Sequence, residues 1–449
     1  MPEVPSLLRF VALVPVVANS REATPEIATT KPQATVLFWA FAWAAFFPYI
    51  AVISTGTDLQ PYALILGSAV ILFTQNWRWP IEIWILAGGF AGAGLVAAGQ
   101  PPTFVVLRGV LGYATPFVVA AATYAIMELR PAILNRMISF SPYVWLSVGI
   151  VQLAVNRDFL ISMIPTMSSG LDRGVTSLAT EPSFYGVVCV FLMVLNYLRD
   201  PRAKLVQWLL LVQVVFIAQS AITILFLALL LMYSAIFQFS LKRTAVLILV
   251  TAVLFAVAVA LSRPGSRLSS LAADLLANPL QLLLVDTSVN VRIGHMLFSI
   301  IGSLQSRGVP HGFGRFAEFV RHSSSTLVPG FTWLGATDDD NLKIMSGYGG
   351  ALFELGVIGL AFPLAITLSV RRYFRESLGA FLVAAMFLHS VMFAAIQLSL
   401  PLLGVLIGYM SFVGQERHQV RNLESLSERA LNQTFARTIS SPGPRDESC

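Results

Sequence analysis

Two polar segments of an otherwise apolar chain carry the side chains best suited to chemistry. The first contains TEPSFYG, residues 180–186, a few residues after Arg173. Glu181 and Ser183 therefore stand at the start of an apolar run, where a carboxylate can accept a proton. The same residues, with Pro182 at the first helical position, are also an ordinary helix start. Both interpretations remain open at this point.

The second segment contains SVNVRIGHML, in which His295 follows Arg292 by three residues. On a helix these two side chains share one face. Arginine presents a planar fork of donors that matches the oxygens of a phosphate group. The pair therefore indicates an anion-binding surface, and the alternative is a surface helix whose basic side chains touch lipid headgroups.

Further along the second segment, VPHGFGRF (residues 309–316) places His311 and Arg315 on either side of two glycines. Gly312 and Gly314 let the backbone turn sharply or approach a ligand. A surface turn is the simpler explanation. The motif gains interest because it follows Arg292 within one polar segment.

A third polar stretch, TDDDN at residues 337–341, precedes SGYGGALFELGVIGL at residues 346–360. The three carboxylates could bind a cation, but no further ligand spacing supports a metal, so solvation is favoured. Glu354 lies about two turns inside an apolar run, where a charge normally faces a cavity or a partner. We expect that partner to be Arg292 or Arg315.

Composition shows which elements must position these residues. The chain is 56% hydrophobic and 12% charged, with a net charge of +6. Soluble domains have about 25% charged residues, so this chain is predicted to be all-α and to cross a membrane repeatedly. No basic segment interleaved with aromatic residues favours nucleic acid. The two cysteines, Cys189 and Cys449, suggest neither a disulfide framework nor a metal site, and no cofactor motif is found.

The hydropathy pattern predicts a polytopic bundle of about a dozen transmembrane helices within residues 34–413. The predicted spans are 34–54, 61–75, 81–99, 109–127, 138–155, 182–198, 205–218, 220–239, 244–261, 346–370, 378–395 and 398–413. The polar pair Gln219-Ser220 is expected to divide the long apolar run 205–239 into two spans, and one long tilted helix is the alternative.

Lys and Arg in the short loops all fall on one side of such a bundle, apart from Arg108. That side is predicted to be cytoplasmic, together with the N-terminal segment 1–33 and the tail 414–449. Residues 156–181 and 262–345 then lie on the opposite side. The larger of these loops contains apolar periodicity typical of short amphipathic helices at the membrane surface.

These features resemble the bacterial O-antigen polymerase and O-antigen ligase superfamily, over roughly residues 170–370. The resemblance rests on TEPSFYG opening a middle span, the long apolar pair split at AQSAIT, Arg292 followed by HGFG in a large outer loop, and SGYGGALFELGVIGL opening the next span. The ligase branch usually has His before Asn ahead of that span. Asp340-Asn341 stands there in this chain, which favours a polymerase.

The resemblance implies an integral membrane glycosyltransferase in the bacterial inner membrane. It would polymerise oligosaccharide repeat units carried on undecaprenyl diphosphate into exopolysaccharide or O-antigen at the periplasmic face. Donor and acceptor would both be lipid-linked, without nucleotide sugar, metal or cofactor. A flippase and a chain-length regulator are possible partners.

Arginines of two outer loops carry function in this family, and Arg173 and Arg292 fit best by loop context. We expect Arg292 and Arg315 to hold the diphosphate, assisted by Arg173, with His295 and Glu354 completing the binding site. Glu181 or His311 would serve as the base. Alternative functions are ligase-type transfer of finished polymer, transport of a lipid-linked sugar, and a structural role without activity.

Overall fold

The computed structural model describes residues 32–52, 59–75, 78–164, 174–238, 287–327, 344–394 and 397–440, together with the single residues Leu249, Val253 and Ala256. Throughout these ranges all regular structure is helical, as predicted. The following bounds define the helices used below.

The first eight helices are α1 (Pro32–Phe46), α2 (Tyr62–Thr74), α3 (Ile81–Ala98), α4 (Phe104–Leu129), α5 (Pro131–Ala154), α6 (Pro182–Arg199), α7 (Lys204–Val212) and α8 (Ala221–Gln238). A short 3-10 helix, Ile161–Met163, lies between α5 and α6. The remaining helices are α9 (Thr287–Gln305), α10 (Phe316–Leu327), α11 (Gly347–Leu355), α12 (Ala361–Tyr373), α13 (Leu378–Ala394) and α14 (Pro401–Ser440).

Five helical segments within the described ranges are long and apolar enough to cross a membrane. They are Ile81–Ala98, Phe104–Leu129, Pro131–Ala154, Pro182–Arg199 and Gly347–Tyr373. Shorter apolar helices occur at Gln33–Phe46, Tyr62–Thr74, Lys204–Ala218, Ile222–Phe237 and Leu378–Ala394. Hydropathy therefore placed the described helices correctly, although only Leu249, Val253 and Ala256 of the predicted span 244–261 are described.

Helix α4 lies at the centre of the bundle and packs against α2, α3 and α14. Its middle turns carry Ala120, Ala121 and Ala122, all fully buried. Across from them, Gly404 and Gly408 of α14 come so close that a Cβ on Gly408 would lie 2.4 Å from the Ala120 carbonyl oxygen. Small residues four apart allow this close approach of two helices in an apolar environment.

The long apolar run 205–239 is broken at the predicted place. Helix α7 continues as a π-helix over Gln213–Ala218, and Gln219 then adopts a left-handed conformation with φ 48°. The side chain of Gln213 is buried here and both ends of its amide are hydrogen-bonded, since its Oε1 accepts from Tyr185 Oη at 2.8 Å and its Nε2 donates to the Pro142 carbonyl at 3.3 Å. The alternative of one continuous helix is wrong.

A second break interrupts the segment Gly347–Tyr373 at Gly356, which has φ 61° and leads into a 3-10 helix over Gly356–Leu360. An interrupted apolar helix leaves backbone groups that must find partners inside the protein. The segment between α9 and α10 supplies them. The amides of His311 and Gly312 donate to the carbonyls of Phe353 and Glu354, each at 3.1 Å. The loop is therefore built into the bundle.

A buried ion pair joins α3 to α12. Arg372 Nε lies 2.7 Å from Glu82 Oε1, and its Nη2 donates to Oε2 at 3.0 Å. The Glu82 side chain is fully buried, whereas that of Arg372 is 31% exposed. The carboxylate thus has one hydrogen bond, through Oε2, and one close charge contact, through Oε1, which lacks a hydrogen-bond partner among the described residues. Removal of a carboxylate from water is costly unless a charge of opposite sign lies beside it.

The last predicted span and the polar tail form one continuous helix, α14, of 40 residues. Its first turns are buried against α4 and α12, and its surface becomes exposed from His418 onward. The helix continues through Ser440, and its described side chains between His418 and Ser427 are exposed.

Candidate functional site

The start of α6 presents a carboxylate whose oxygen does not cap its own helix. Glu181 occupies the N-cap position with extended backbone, but its side chain makes no capping hydrogen bond. Pro182 starts the helix instead, where its missing N–H costs nothing. The Glu181 Oε2 accepts a hydrogen bond of 3.0 Å from Ser183 Oγ. The carboxylate is therefore held toward the side chains that follow.

Helix α9 brings Arg292 to the same place. Its Nη2 donates to Ser183 Oγ at 2.8 Å, although the two residues are 109 positions apart in the chain. The Ser183 hydroxyl thus accepts from a guanidinium and donates to a carboxylate, which orders both groups. Arg292 is only 8% exposed. We name the set Arg292, Ser183 and Glu181, together with His295, the arginine–serine–glutamate site.

His295 lies one turn after Arg292 on α9. Its Nδ1 accepts from the Met345 amide at 2.8 Å, so the neutral ring carries its proton on Nε2. Burial, and then the charge of Arg292, lower the pKa of His295 from 6.5 to about 4. Within the described residues Nε2 is buried without a hydrogen-bond partner. The site therefore contains a neutral donor beside a cationic one.

The low pKa of His295 makes stability depend on pH in a defined window. Between pH 6.5 and about 4 the unfolded chain takes up a proton on this ring and the folded chain does not. The free energy of unfolding should therefore fall by about 3 kcal/mol as the pH is lowered through that window. Thermal unfolding of the protein in detergent at a series of pH values measures this.

Two substitutions provide the controls. His295→Asn can still accept from the Met345 amide but does not titrate, so this part of the acid sensitivity should disappear. His295→Gln places its amide nearer the Nε2 position, and this variant should also lose the acid sensitivity that His295 causes. An unchanged pH profile in both variants would show that other groups cause the acid sensitivity.

His311 is held by contacts of a structural kind. Its Nε2 lies 3.0 Å from the Gly302 carbonyl, an atom that can only accept. The ring stacks on Phe353 with centroids 4.3 Å apart and contacts Phe319. Because Nε2 donates to the carbonyl, the lone pair of the neutral ring lies on Nδ1. The role of His311 as a base stays an untested prediction.

The glycines around His311 form a turn that is clamped by Gln100. The Gln100 Oε1 accepts from the Phe313 amide at 2.9 Å, and its Nε2 donates to the Phe313 carbonyl at 3.4 Å. Gly312 has φ 83°, and a Cβ there would lie 2.4 Å from the Gln100 side chain. Glycine is therefore required at this position by both conformation and space. The HGFG motif thus fixes the outer loop to the bundle.

Arg315 and Glu354 were predicted to bind substrate, but their hydrogen bonds are to residues outside the arginine–serine–glutamate site. The side chain of Arg315 is 59% exposed and pairs with Glu318 at 3.2 Å. Glu354 accepts a hydrogen bond of 2.7 Å from Tyr113 Oη. The prediction that Arg292 or Arg315 is the hydrogen-bonded partner of Glu354 is therefore wrong. Packing of α4 against α11, which no local pattern reveals, brings Tyr113 into this position.

Arg173 and the acidic residues 338–340 fall outside the described residues, as do Thr337 and Asn341. Their predicted roles stay predictions. Among the described residues no cluster of three or more His, Cys, Asp or Glu side chains is arranged to hold a metal ion.

Sequence reasoning missed three side chains that the structure places beside the predicted ones. Ser183 links Arg292 to Glu181, Tyr113 holds Glu354, and Gln100 clamps the HGFG turn. It also gave no role to Arg108, which lines a cavity with Glu354. A signal for Arg108 existed, since it is the one basic residue in the predicted short outer loops.

Comparison with known proteins adds no assignment to this geometry. No protein-family model matches the chain, and no curated protein matches its sequence. The described part of the chain is all-helical and includes apolar helices able to cross a membrane.

Proposed function

We propose that this chain is an integral membrane glycosyltransferase that joins saccharide repeat units carried on undecaprenyl diphosphate. In this proposal the bundle crosses the bacterial inner membrane about twelve times, with both termini in the cytoplasm. The reaction takes place at the periplasmic face. The observation that carries the proposal is the hydrogen-bonded series from Arg292 through Ser183 to Glu181.

The reaction needs stabilisation of a leaving diphosphate. The bond between the donor sugar's anomeric carbon and the diphosphate oxygen breaks, and negative charge grows on that oxygen. A buried guanidinium that is already oriented by Ser183 stabilises this charge without reorganisation. The Nε2–H of His295, one turn away, offers a second donor without adding charge. Arg292 and His295 are thus suited to hold the diphosphate.

The reaction also needs a proton acceptor. A hydroxyl of the acceptor sugar attacks the anomeric carbon, its oxygen forms the new glycosidic bond, and its proton must leave. Glu181 is positioned for this role, because Ser183 holds its carboxylate beside Arg292 and its side chain does not cap the helix. The diphosphate departs on its lipid, so atoms and charges balance without metal or nucleotide.

Transport is the rival from another class, and the interrupted helix at Gly356 is the feature that favours it. Broken helices in transporters expose backbone groups that coordinate the substrate. Here the amides of His311 and Gly312 already occupy the Phe353 and Glu354 carbonyls. The break is thus satisfied within the protein, which weakens the case for transport.

The direct test uses purified protein in detergent with undecaprenyl-diphosphate-linked repeat units as the sole substrate. We expect longer saccharides to form, with one undecaprenyl diphosphate released for each new bond. Absence of both products with folded protein overturns the proposal. In cells, loss of a polymerase leaves single repeat units on the lipid, whereas loss of a ligase leaves long unattached chains.

A further inference from the structure

A cavity of about 390 Å³ lies next to segment 344–346, which also contacts His295. The backbone of Met345 donates to His295, whereas Ile344 and Ser346 line the cavity. The wall is largely apolar but includes eight polar side chains: Gln60, Arg108, Tyr113, Thr115, Ser346, Glu354, Gln397 and Ser399. A few polar groups in an apolar enclosure are typical of a ligand site.

The charged groups of the cavity are arranged for a ligand with two kinds of polar group. Within the described residues the Arg108 guanidinium has neither a hydrogen bond nor an ion pair, although it lines the same cavity as Glu354. Glu354 uses Oε2 for Tyr113 and turns toward the cavity. A phosphate matches the guanidinium, and a sugar hydroxyl matches the carboxylate.

The backbone around the cavity also favours an anion. Four helices begin there, with α2 starting at Tyr62, α4 at Phe104, α11 at Gly347 and α14 at Pro401. The first turn of a helix carries partial positive charge from its free amides. These helix ends add to the field of Arg108.

One wall of the cavity continues onto the outer surface of α4. Phe104, Leu107 and Leu111 line the cavity and are nevertheless 66%, 55% and 41% exposed. They lie on one stripe of the helix, since they are three and four residues apart. In a membrane this stripe contacts hydrocarbon, so an occupant of the cavity can keep a long apolar tail in the bilayer.

We propose that this cavity binds the head of a second polyprenyl-phosphate-linked saccharide, with its phosphate on Arg108 and a sugar hydroxyl on Glu354. The assignment as the second substrate rests on the proposed function, because polymerisation joins two lipid-linked chains. The arginine–serine–glutamate site then takes one lipid and the cavity takes the other, and segment 344–346 contacts both.

Counting bound lipids by native mass spectrometry tests this, with undecaprenyl-diphosphate-linked N-acetylglucosamine as the probe. Wild-type protein should bind two molecules, whereas Arg108→Gln and Arg292→Gln should each bind one. The Arg108→Gln variant should lose at least tenfold affinity for one of the two molecules. The control variant Arg307→Gln changes an exposed arginine in the segment that contains Arg292, and it should still bind two molecules.

Three further arms make the result specific. Arg108→Lys retains the charge and should recover part of the binding, which separates anion binding from misfolding. Glu354→Gln should weaken binding of the sugar-bearing lipid but leave undecaprenyl phosphate unaffected. The assignment is overturned if phosphatidylglycerol, or inorganic pyrophosphate without lipid, displaces the bound probe as well as unlabelled undecaprenyl-diphosphate-linked N-acetylglucosamine does.

Two bound molecules in Arg108→Gln also overturn it. Because the assay counts binding and does not require turnover, the cavity assignment can stand if no glycosyl transfer occurs. Conversely, transfer can occur with this assignment wrong, in which case Arg108→Gln retains both lipids and full activity.

Discussion

Replacing Arg292 with Ala is expected to reduce saccharide polymerisation by about a hundredfold or more, the usual effect of removing one preorganised charge-stabilising donor. The guanidinium is 8% exposed and is oriented by Ser183, so no nearby water can replace it at low cost. The rate of undecaprenyl diphosphate release from purified protein measures the loss.

Two companion variants sharpen this prediction. Arg292→Lys keeps the charge but loses the planar fork, and it should recover only a small part of the activity. Ser183→Ala keeps both charged groups and removes the hydroxyl that joins them, so it should give an intermediate loss. Arg307→Gln, the exposed control, should be unaffected. Full activity of Arg292→Ala with normal expression would remove this residue from the site.

Breaking the Glu82–Arg372 pair is expected to cost the most stability. Arg372→Ala leaves a fully buried carboxylate without its partner, which is expected to cost about 3–5 kcal/mol. Glu82→Gln should cost less, because Arg372 is 31% exposed and can turn toward solvent. Unfolding in detergent, followed by circular dichroism, measures both changes.

The double variant separates pairing from packing. Replacing both residues with Leu removes the charges together, and the result should lie within about 2 kcal/mol of wild type, since apolar replacements of buried pairs are often neutral. Arg371→Ala, which changes the adjacent exposed arginine, is the matched control and should alter stability by less than about 1 kcal/mol. Equal effects of Arg371→Ala and Arg372→Ala would contradict the role given to the pair.

Hydropathy predicted where the helices lie, because the length of apolar runs is a local property of the chain. The break at Gln219 was also predictable, since polar side chains there interrupt the run. The count of membrane crossings is a different question. Five described helices are long and apolar enough to cross a membrane. Whether the shorter apolar helices cross it depends on the helices packed around them.

The family resemblance implied that Arg292 and Glu181 serve one site, and in the structure Ser183 forms hydrogen bonds to both side chains. The other site predictions depended on contacts between distant residues. Tyr113 and Glu354 are 241 positions apart, and Gln100 and Phe313 are 213 apart. Such contacts are set by helix packing, which leaves no local sequence pattern. The contacts of His311 with Phe353 and Gly302 are of the same kind.

The long helix α14 has a consequence for measurements on the intact membrane. Its 40 residues extend over about 60 Å, twice the hydrocarbon thickness of a bilayer at about 30 Å. Because its first part is locked between α4 and α12, the remainder projects as a rod. A fluorophore near Ser440 would report the tilt of the whole bundle as a change in height above the bilayer. A small tilt of the bundle thus gives a larger displacement at the end of the helix, where the fluorophore can detect it.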